Sequence, residues 1–387
     1  MVSERRGRSL NGRDMDFFAT AAKGTEELLV AELAALGVSG VTAEAGGARF
    51  TGDMSDCYRA NLWLSTASRV LMPLAVFPCD TPNSLYEGVR TIPWHDFLSP
   101  RTTLAVECNL RDSAMTHSGY VALKTKDAIV DAMRDRFGTR PDVDTRDPDL
   151  RINVHLVKNL CTISLDSSGA PLDRRGYRLE RREAPLRETL AAALVLLAGW
   201  DSSIPLVDPM CGSGTIPIEA ALKGARRAPG LLRQGFGFMR WPGFAAAIWR
   251  RLVEEARATA LPSLAAPIMG YDREAAAIRT ARQNAGRAGV DMIVTLKQLD
   301  LGDFAPPPGP GILLFNPPYG RRLGEEEELK PLYRKIGDIM KQRCTGYTAY
   351  LFTGSADLAK CVGLRASRRI VLFNGPIECR LLKYELY

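Results

Sequence analysis

The sequence predicts an α/β protein, with a largely parallel sheet in the carboxy-terminal half and two smaller α+β modules before it. Over residues 188–387, short apolar runs alternate with helical patterns, which is the order of a parallel sheet with crossover helices. A glycine-rich loop follows the first of these runs, and three later runs end at acidic or amide residues. Residues 15–170 carry strand and helix patterns in two mixed groups, which predicts the two α+β modules.

The first module is predicted over residues 15–80. Its patterns follow the order β-α-β-β-α-β, which is typical of a ferredoxin-like unit. Thr25 is predicted to cap the first helix, and Gly37 to end it. The predicted elements are, in order, 17–22, 25–36, 41–45, 48–51, 55–64 and 70–77.

The second module is predicted over residues 81–170, with Lys158 and Asn159 as the turn of its last hairpin. Its predicted elements are helix 84–90, strand 103–109, helix 119–137 and strands 151–157 and 160–166. A charged, arginine-rich linker is expected over 171–187, before the α/β domain of 188–387. Residues 1–14 are polar and basic without an apolar stretch, so we expect a disordered arm and not a signal peptide.

The glycine-rich loop is predicted between a strand that begins at 206 and a helix that begins at Thr215. Gly212 and Gly214 permit a tight turn and a close approach of the backbone to a ligand. Pro217 stands where a dinucleotide fingerprint needs its third glycine, and the lysine of a P-loop is absent. Asp208 would repel a phosphate but suits the ammonium group of S-adenosylmethionine (AdoMet). The cofactor residues predicted in this loop are Asp208, Pro209, Cys211, Gly212, Gly214 and Thr215.

Two further acids follow the next two predicted strands, 268–272 and 294–299. Asp272 stands where a Rossmann-like site grips the ribose hydroxyls. Asp300 is predicted to accept a hydrogen bond from the amino group of adenine. Together with the glycine loop, these acids predict a Rossmann-like AdoMet site along the carboxyl ends of successive strands.

A fourth apolar run, 311–315, ends in Asn316-Pro317-Pro318-Tyr319. The Asn316 amide oxygen and the Pro317 carbonyl can accept both hydrogens of a planar exocyclic amino group, and the Tyr319 ring can stack on the base that bears it. Asn316, Pro317 and Tyr319 are therefore the predicted catalytic residues, and Asn316 is also counted among the residues that contact the cofactor. The set suits methylation of an amino nitrogen on a nucleobase.

Composition restricts the other functions that the chain can have. At 46% hydrophobic and 25% charged residues, the composition is that of a globular protein. The chain has no apolar run of the ~20 residues that a membrane span needs. Eight scattered cysteines without a C-x-x-C pair, and three separated histidines, argue against a zinc site and favour free thiols in a reducing cytoplasm. We expect no metal; the sequence does not determine the oligomeric state, although a monomer is favoured.

Arginines and aromatic residues are concentrated between Glu219 and Glu254, where no other acid occurs. Such a mixture is typical of surfaces that hold phosphates and stack on unpaired bases. The alternative is a solvated helix face with aromatic residues in the core. With Arg178 of the linker, the predicted RNA contacts are Arg178, Arg226, Arg227, Arg233 and Arg240.

The chain resembles the bacterial RNA guanine-N2 methyltransferases that carry a THUMP domain, over about residues 15–387. The resemblance rests on the glycine loop, on Asn316-Pro317-Pro318-Tyr319-Gly320, and on four shorter motifs. The shorter motifs are Arg175-Gly-Tyr-Arg178, Ala184-Pro-Leu-Arg-Glu188, Ala228-Pro-Gly230 and Asn374-Gly-Pro376. The resemblance implies that 81–170 is an RNA-binding THUMP domain and that 188–387 is a class I methyltransferase domain. It also implies that Arg187-Glu188-Thr189 packs beside the AdoMet pocket.

The resemblance also implies the reaction, which is transfer of a methyl group to guanine N2 in 23S rRNA. Transfer RNA is the alternative substrate. Two rivals remain open from the residues themselves. DNA adenine and protein glutamine methyltransferases also use Asn-Pro-Pro-Tyr, and a non-catalytic RNA-binding assembly factor would keep the amino-terminal modules.

Overall fold

The computed structural model describes residues 14–178, 186–320 and 325–387, with the side chain of Glu325 left out. The predicted arm therefore lies almost wholly outside the described residues. The amino-terminal elements are β1 (Met15–Ala21), α1 (Glu26–Ala35), β2 (Ser39–Glu44), β3 (Gly47–Gly52), α2 (Met54–Trp63), β4 (Ala67–Pro78), α3 (Pro82–Arg90), β5 (Thr103–Arg111), α4 (Ser118–Phe137), β6 (Asp142–Val143), β7 (Leu150–Val157) and β8 (Leu160–Asp166).

These strands form a single eight-stranded sheet, although the sequence suggests two modules. The strand order is β2-β3-β1-β4-β8-β7-β5-β6. The two groups join where β4 pairs antiparallel with β8, from Leu71 opposite Asp166 to Pro78 opposite Leu160. One hydrophobic core includes residues of both groups. Separating them would expose two strand edges and part of this core, so the two α+β groups fold as one structural unit.

The carboxy-terminal domain has helices and strands in alternation. Its elements are α5 (Glu188–Leu197), β9 (Leu206–Asp208), α6 (Thr215–Gly224), α7 (Ala246–Ala258), β10 (Ile268–Asp272), α8 (Ala275–Arg287), β11 (Val294–Gln298), β12 (Gly311–Phe315), α9 (Glu325–Arg343), β13 (Tyr347–Thr353), α10 (Ala356–Cys361), β14 (Arg368–Asn374) and β15 (Ile377–Glu385). Every residue of β9 and β12 is buried, which explains their continuous apolar sequences.

The second sheet has seven strands in the order β11-β10-β9-β12-β13-β15-β14. The five strands β9 to β13 are parallel to one another, while β15 runs antiparallel to its two neighbours, β13 and β14. Separate hydrophobic clusters lie against this sheet. The predicted fold class, a Rossmann-like α/β domain after α+β modules, is confirmed.

The strand order reverses at β9, because the chain continues to β10 on one side and later to β12 on the other. Asp208, the last residue of β9, lies opposite Gly270 of β10. On the other side, Leu313 of β12 pairs with Val207, so Leu314 lies at the level of Asp208. Asp272 and Asn316 each stand two residues further along their strands, about 7 Å beyond Asp208. The sheet therefore has a crevice at its switch point, with Asp208 at the bottom.

The aromatic residues of the segment 236–241, which follows α6, pack against the amino-terminal sheet and are not exposed to solvent. Phe236, Phe238 and Trp241 are buried within the core of that sheet. The ring of Phe238 stacks on the ring of Tyr58, with 4.3 Å between the centroids. The prediction that the aromatic residues of this segment stack on RNA bases is therefore wrong for Phe236, Phe238 and Trp241, because their rings are buried at the contact between the two domains.

Candidate active site

The loop between β9 and α6 is fixed against the end of β10. Gly212 and Gly214 have φ angles of +56° and +81°, in the left-handed region that favours glycine. The amide of Cys211 donates to the carbonyl of Tyr271 at 2.7 Å. A Cβ on Gly214 would lie 3.0 Å from the Cβ of Ala281 on α8. The loop is therefore a compact turn whose backbone favours glycine at both positions, and at Gly214 the close approach of α8 adds a second reason.

Asp208 is a buried carboxylate without a cationic partner among the described residues. It is 1% exposed, and its one hydrogen bond within the described chain comes from the amide of Met210 at 3.0 Å. Burial, with a smaller effect from Asp272, raises the pKa of Asp208 to about 8. Because a buried carboxylate is stabilised by a nearby positive charge, this site fits the ammonium group of an amino acid moiety. Pro209 beside it is buried.

Asp272 holds the glycine loop as well as facing the crevice. One of its oxygens accepts from the amide of Gly212 at 2.9 Å, and the other accepts from the amide of Glu274 at 2.9 Å. A carboxylate oxygen has further lone pairs, so both remain able to accept from ribose hydroxyls. The predicted ribose contact stays a prediction, but the support that Asp272 gives to the loop was not foreseen.

Asp300 begins a short 3-10 helix and is half-exposed. Its Oδ1 accepts from Lys335 Nζ and from the amide of Gly302, each at 2.7 Å. The bond from Lys335 holds the pKa of Asp300 below its usual value. Its Oδ2 has no partner within the described residues, so the predicted bond to the adenine amino group uses this oxygen.

Cys211 and Thr215 complete the predicted cofactor set and are both buried. Burial raises the pKa of the Cys211 thiol well above its ordinary value, so the thiol is neutral. A Cβ on Gly270 would approach its sulfur to 3.1 Å. The interpretation of Cys211 as a small packing residue agrees with these contacts. All eight cysteines are free thiols.

Asn316 is half-buried at the end of β12, and its side chain has no hydrogen-bond partner in the part of the chain that the structure describes. Pro317 is buried beside it, while the carbonyl of Pro318 accepts from the hydroxyl of Tyr333 at 3.2 Å. The hydrogen bond from Tyr333 of α9 therefore fixes the backbone that follows β12. Among the described residues, nothing occupies the Asn316 amide, so it is available to a ligand there.

Tyr319 is fixed at both ends of its side chain. Its hydroxyl accepts a hydrogen bond from Asn374 Nδ2 at 2.9 Å, and its ring meets Phe352 edge-on with 6.5 Å between the centroids. A Cβ on Gly354 would come within 2.9 Å of the ring. Asn374 belongs to a motif that the resemblance singled out without a role, and the contact gives it one: it orients Tyr319.

We expect Tyr319→Phe and Asn374→Ala to destabilise the fold through the same hydrogen bond. Each change should lower the free energy of unfolding, and the double variant should lose less than the sum of the two. The coupling expected for one partly buried hydrogen bond is about 0.5–1.5 kcal/mol. Urea unfolding of the four proteins measures it, and strictly additive losses would contradict the contact.

Two residues of the linker between the two domains are buried between them, although their neighbours Arg174 and Gly176 are exposed. Arg175 and Tyr177 are each 1% exposed. Tyr177 donates to Glu219 of α6 at 3.0 Å, and Arg175 forms an ion pair with the same carboxylate at 3.5 Å. Arg175 also donates to the carbonyl of Ser65 in the amino-terminal unit. Sequence reasoning missed Glu219, and an acid inside the apolar pattern of α6 was the available signal. The linker residues 179–185 lie outside the described residues.

Arg178 contacts the cofactor loop, which corrects its predicted contact with RNA. It donates to Thr215 Oγ1 at 2.6 Å and to the carbonyl of Leu186 at 3.1 Å. It also pairs with Glu188 at 3.5 Å, and both side chains are 9% exposed. Burial raises the pKa of Glu188 to about 7. A guanidinium enclosed in this way cannot reach a phosphate in solvent, so Arg178 is better assigned to positioning the helix that begins at Thr215.

Arg233 is also occupied by the protein. Its guanidinium donates to four backbone carbonyls, at 2.7 to 3.1 Å, those of Ser168, Ala170, Pro171 and Arg174. The predicted RNA contact of Arg233 is corrected for the same reason as that of Arg178. Arg227 donates to the carbonyl of Gly289, and Arg240 pairs with Asp147 at 2.7 Å. Arg226 and Arg240 are exposed, and the RNA contacts of Arg226, Arg227 and Arg240 stay predictions.

Three known protein families match successive parts of the chain. An RlmL ferredoxin-like domain matches residues 16–71, a THUMP domain matches 79–166, and an RMKL-like methyltransferase domain matches 175–383. The chain belongs to the RMKL-like methyltransferase family. This match contains the glycine loop, Asp272, Asp300 and Asn316, so the crevice at the switch point lies within a methyltransferase domain.

Individual relatives agree with this membership. The chain is 43% identical over 371 residues to slr0064 of Synechocystis, a candidate RNA methyltransferase, covering 96% of this chain and 97% of that protein. It is 47% identical over 380 residues to ribosomal RNA large subunit methyltransferase K/L of Syntrophotalea carbinolica, covering 96% of this chain but 53% of that protein. It therefore spans about half the length of the K/L enzyme.

A related crystal structure is that of SMU.472, a candidate methyltransferase complexed with SAH. It superposes with a TM-score of 0.88 at 31% identity, over 97% of this chain and 99% of the other. No helix within the described residues is long and apolar enough to cross a membrane.

Proposed function

We propose that this protein transfers a methyl group from AdoMet to the exocyclic N2 of a guanine in large-subunit ribosomal RNA. The observation that carries the proposal is the Asn316 amide, which stands without a partner among the described residues beside a crevice that fits AdoMet. The name of the K/L relative supports ribosomal RNA, and the THUMP match supports RNA. The choice of guanine N2 rests on the resemblance and on the chemistry of Asn316.

The residues of the crevice fit the parts of AdoMet. Asp208 would pair with its ammonium group, since a buried carboxylate of raised pKa gains most from a cation. Asp272 would accept from both ribose hydroxyls, and Asp300 Oδ2 from the adenine amino group. The glycine loop would lie along the methionine portion, where a Cβ at either glycine would be strained.

The protein's own contribution to the reaction is orientation. AdoMet supplies an electrophilic methyl group on its sulfonium. The lone pair of the guanine amino nitrogen is delocalised into the ring, and accepting its two hydrogens at Asn316 Oδ1 and the Pro317 carbonyl turns this nitrogen toward tetrahedral geometry. The lone pair then points at the methyl carbon for in-line attack. The nitrogen–carbon bond forms as the sulfur–carbon bond breaks, and the amino group releases a proton to water.

The direct test is to identify the methylated nucleoside. Large-subunit rRNA transcribed in vitro, transfer RNA and duplex DNA are each incubated with the protein and labelled AdoMet, then digested and analysed by mass spectrometry. We expect N2-methylguanosine from the rRNA. N6-methyladenine from DNA, or methylguanosine from transfer RNA alone, would contradict the proposal, and Asn316→Ala serves as the inactive control.

The raised pKa of Asp208 predicts that AdoMet affinity depends on pH. Below its pKa of about 8 the carboxyl is mainly protonated, and it must lose this proton before it can pair with an ammonium group. Affinity should therefore rise with pH, by up to about tenfold per pH unit, until the pH reaches about 8. Calorimetry in two buffers of different ionisation enthalpy should also show proton release on binding below that pH.

Two variants separate the effect of Asp208 from that of Glu188, an acid of the same domain whose pKa is also raised. Asp208→Asn should bind more weakly at high pH and with little dependence on pH. Glu188→Gln removes the carboxyl whose pKa is about 7 and should keep the slope. If the pH dependence of AdoMet affinity disappears in Glu188→Gln and persists in Asp208→Asn, it is caused by Glu188 and not by Asp208, and the prediction is wrong.

A further inference from the structure

A second cavity lies away from the crevice, between the amino-terminal sheet and the segment that follows α6. Its volume is about 980 Å³. Its lining comes from β4, β5, β7 and the loop of residues 145–149 in the amino-terminal unit, from residues 168–176, and from residues 232–240. We call this cavity the arginine cleft, because six arginines line it: Arg69, Arg146, Arg151, Arg174, Arg233 and Arg240.

The arginine cleft carries a positive charge that the protein does not neutralise. Three acids line it against the six arginines, and a fourth acid, Asp166, pairs with Arg69 without lining the cleft, which leaves a formal charge of +2. Glu107 pairs with both Arg69 and Arg151, and Asp147 pairs with Arg240. The third acid, Asp149, mainly accepts from Thr103.

Two arginines of the cleft are available for a ligand. Arg146 and Arg174 are exposed, and neither forms an ion pair with any described residue. The backbone near each is nevertheless fixed. The amide of Arg146 donates to Asp144 at 2.8 Å, and the carbonyl of Arg174 accepts from Arg233 at 3.0 Å. Two guanidinium groups without an ion pair among the described residues therefore line one cleft from two ordered segments, the loop 145–149 and the linker, which is an arrangement that suits anions.

The linker residues that line the cleft are followed in the chain by residues that contact the helix after the cofactor loop. Gly176 lines the cleft, and two residues later Arg178 donates to Thr215 at the start of the cofactor-binding helix. Between them, Tyr177 is anchored on Glu219 of the same helix. A ligand chain held in the arginine cleft would thus contact the short segment that connects the amino-terminal unit to the methyltransferase domain.

We propose that the arginine cleft binds the phosphate backbone of the RNA substrate, with Arg146 and Arg174 as its phosphate ligands. This rests on the proposed function for the identity of the RNA. The arginines predicted from the sequence segment, above all Arg233, build the cleft, while the contacts to RNA come from the loop before β7 and from the linker. A cleft of this volume takes a stretch of backbone and not only a single ion.

The test replaces both free arginines in the full chain. Binding of an in vitro 23S rRNA transcript by Arg146→Gln/Arg174→Gln is measured at several salt concentrations. Each lost phosphate contact lowers the slope of log affinity against log salt by about 0.7–0.9, so the slope should fall by about 1.4–1.8. AdoMet affinity should stay at the wild-type value, because neither residue touches the crevice.

The matched control is Arg287→Gln/Arg365→Gln. Both residues are exposed arginines without an ion pair in the described chain, and neither lines the cleft. The net charge changes equally, so an equal fall in slope for the two double variants would overturn the proposal. Tight binding of polyglutamate that is lost only in the cleft variant, with RNA binding unchanged, would overturn it in favour of an acidic protein partner.

The outcome is independent of the methylation test. If the wild-type protein methylates another nucleotide but the cleft variant loses the expected slope, the cleft proposal stands and the proposed function fails. If guanine N2 is methylated and the slope is unchanged, only the cleft proposal fails.

Discussion

Asp272→Ala is expected to weaken AdoMet binding by about a hundredfold or more. The change removes two hydrogen bonds from ribose hydroxyls to a carboxylate, each contributing about 1.5–3 kcal/mol. It also removes the acceptor that holds the amide of Gly212 at 2.9 Å, so the glycine loop loses support at the same time. Calorimetry with AdoMet measures the affinity.

Thermal unfolding of the protein without cofactor separates the loss of the Gly212 contact from the loss of the ribose contacts. Loss of the Gly212 contact acts on the protein without cofactor and should lower its midpoint of thermal unfolding, while loss of the ribose contacts acts only on binding. Asp272→Asn keeps an oxygen for one of the two amides and should restore part of the stability without restoring full affinity. An unchanged affinity for Asp272→Ala would show that Asp272 is not the ribose ligand.

Asp291→Ala is a suitable control for this experiment. Asp291 is an exposed acid at the amino end of β11, the opposite edge of the sheet from the crevice. Its side chain forms no hydrogen bond or ion pair within the described residues, so the Asp291→Ala variant should bind AdoMet as the wild-type protein does. A similar loss in both variants would point to a general effect of charge.

The crevice could be predicted from the sequence because each of its residues is marked locally. Asp272 and Asn316 directly end or follow apolar runs, and parallel strands present their carboxyl ends on one edge. Helix and strand bounds were predicted well for the same reason. Thr25 shows the limit: it is the N-cap residue of α1 as predicted, but its hydroxyl donates to the carbonyl of Ala22 and accepts no hydrogen bond from the first turn of the helix.

The role of the arginine and aromatic segment could not be predicted, because it depends on contacts distant in the chain. Phe238 packs on Tyr58, and Arg233 reaches carbonyls some sixty residues earlier. A local pattern of arginines and aromatic residues is the same whether it faces RNA or another part of the protein. The buried linker is similar, since Arg175 looks solvated in the sequence but lies between Ser65 and Glu219.

This packing changes how RNA binding is best tested. A fragment that begins at residue 171 would expose Phe236, Phe238 and Trp241, which the amino-terminal unit buries in the full chain. Exposure of such a patch favours aggregation, so a loss of RNA binding by the fragment would carry little information. Point variants of the full chain, as in the arginine cleft, keep this interface.

Asn316→Ala is expected to lower the methylation rate by about 10²–10³ while AdoMet affinity changes little. In the proposed mechanism the amide oxygen accepts from the guanine amino group, and Asn316 is not among the residues proposed to hold the adenosine, Asp272 and Asp300. Loss of one preorganised electrostatic contact typically costs this much in rate. Single-turnover methylation of 23S rRNA, with AdoMet binding measured in parallel, tests both parts of the expectation.

Asn316→Asp distinguishes orientation from mere occupancy of the site. The carboxylate has the shape of the amide and can accept the same hydrogen from the guanine amino group, so it should retain more activity than alanine, although its charge also attracts the sulfonium. The amide has no partner within the described residues, so its loss leaves no buried group unsatisfied and the fold should be unaffected. If Asn316→Ala methylates at a rate near that of the wild-type protein, the amino group is not activated by this side chain, and the mechanism proposed for the crevice is wrong.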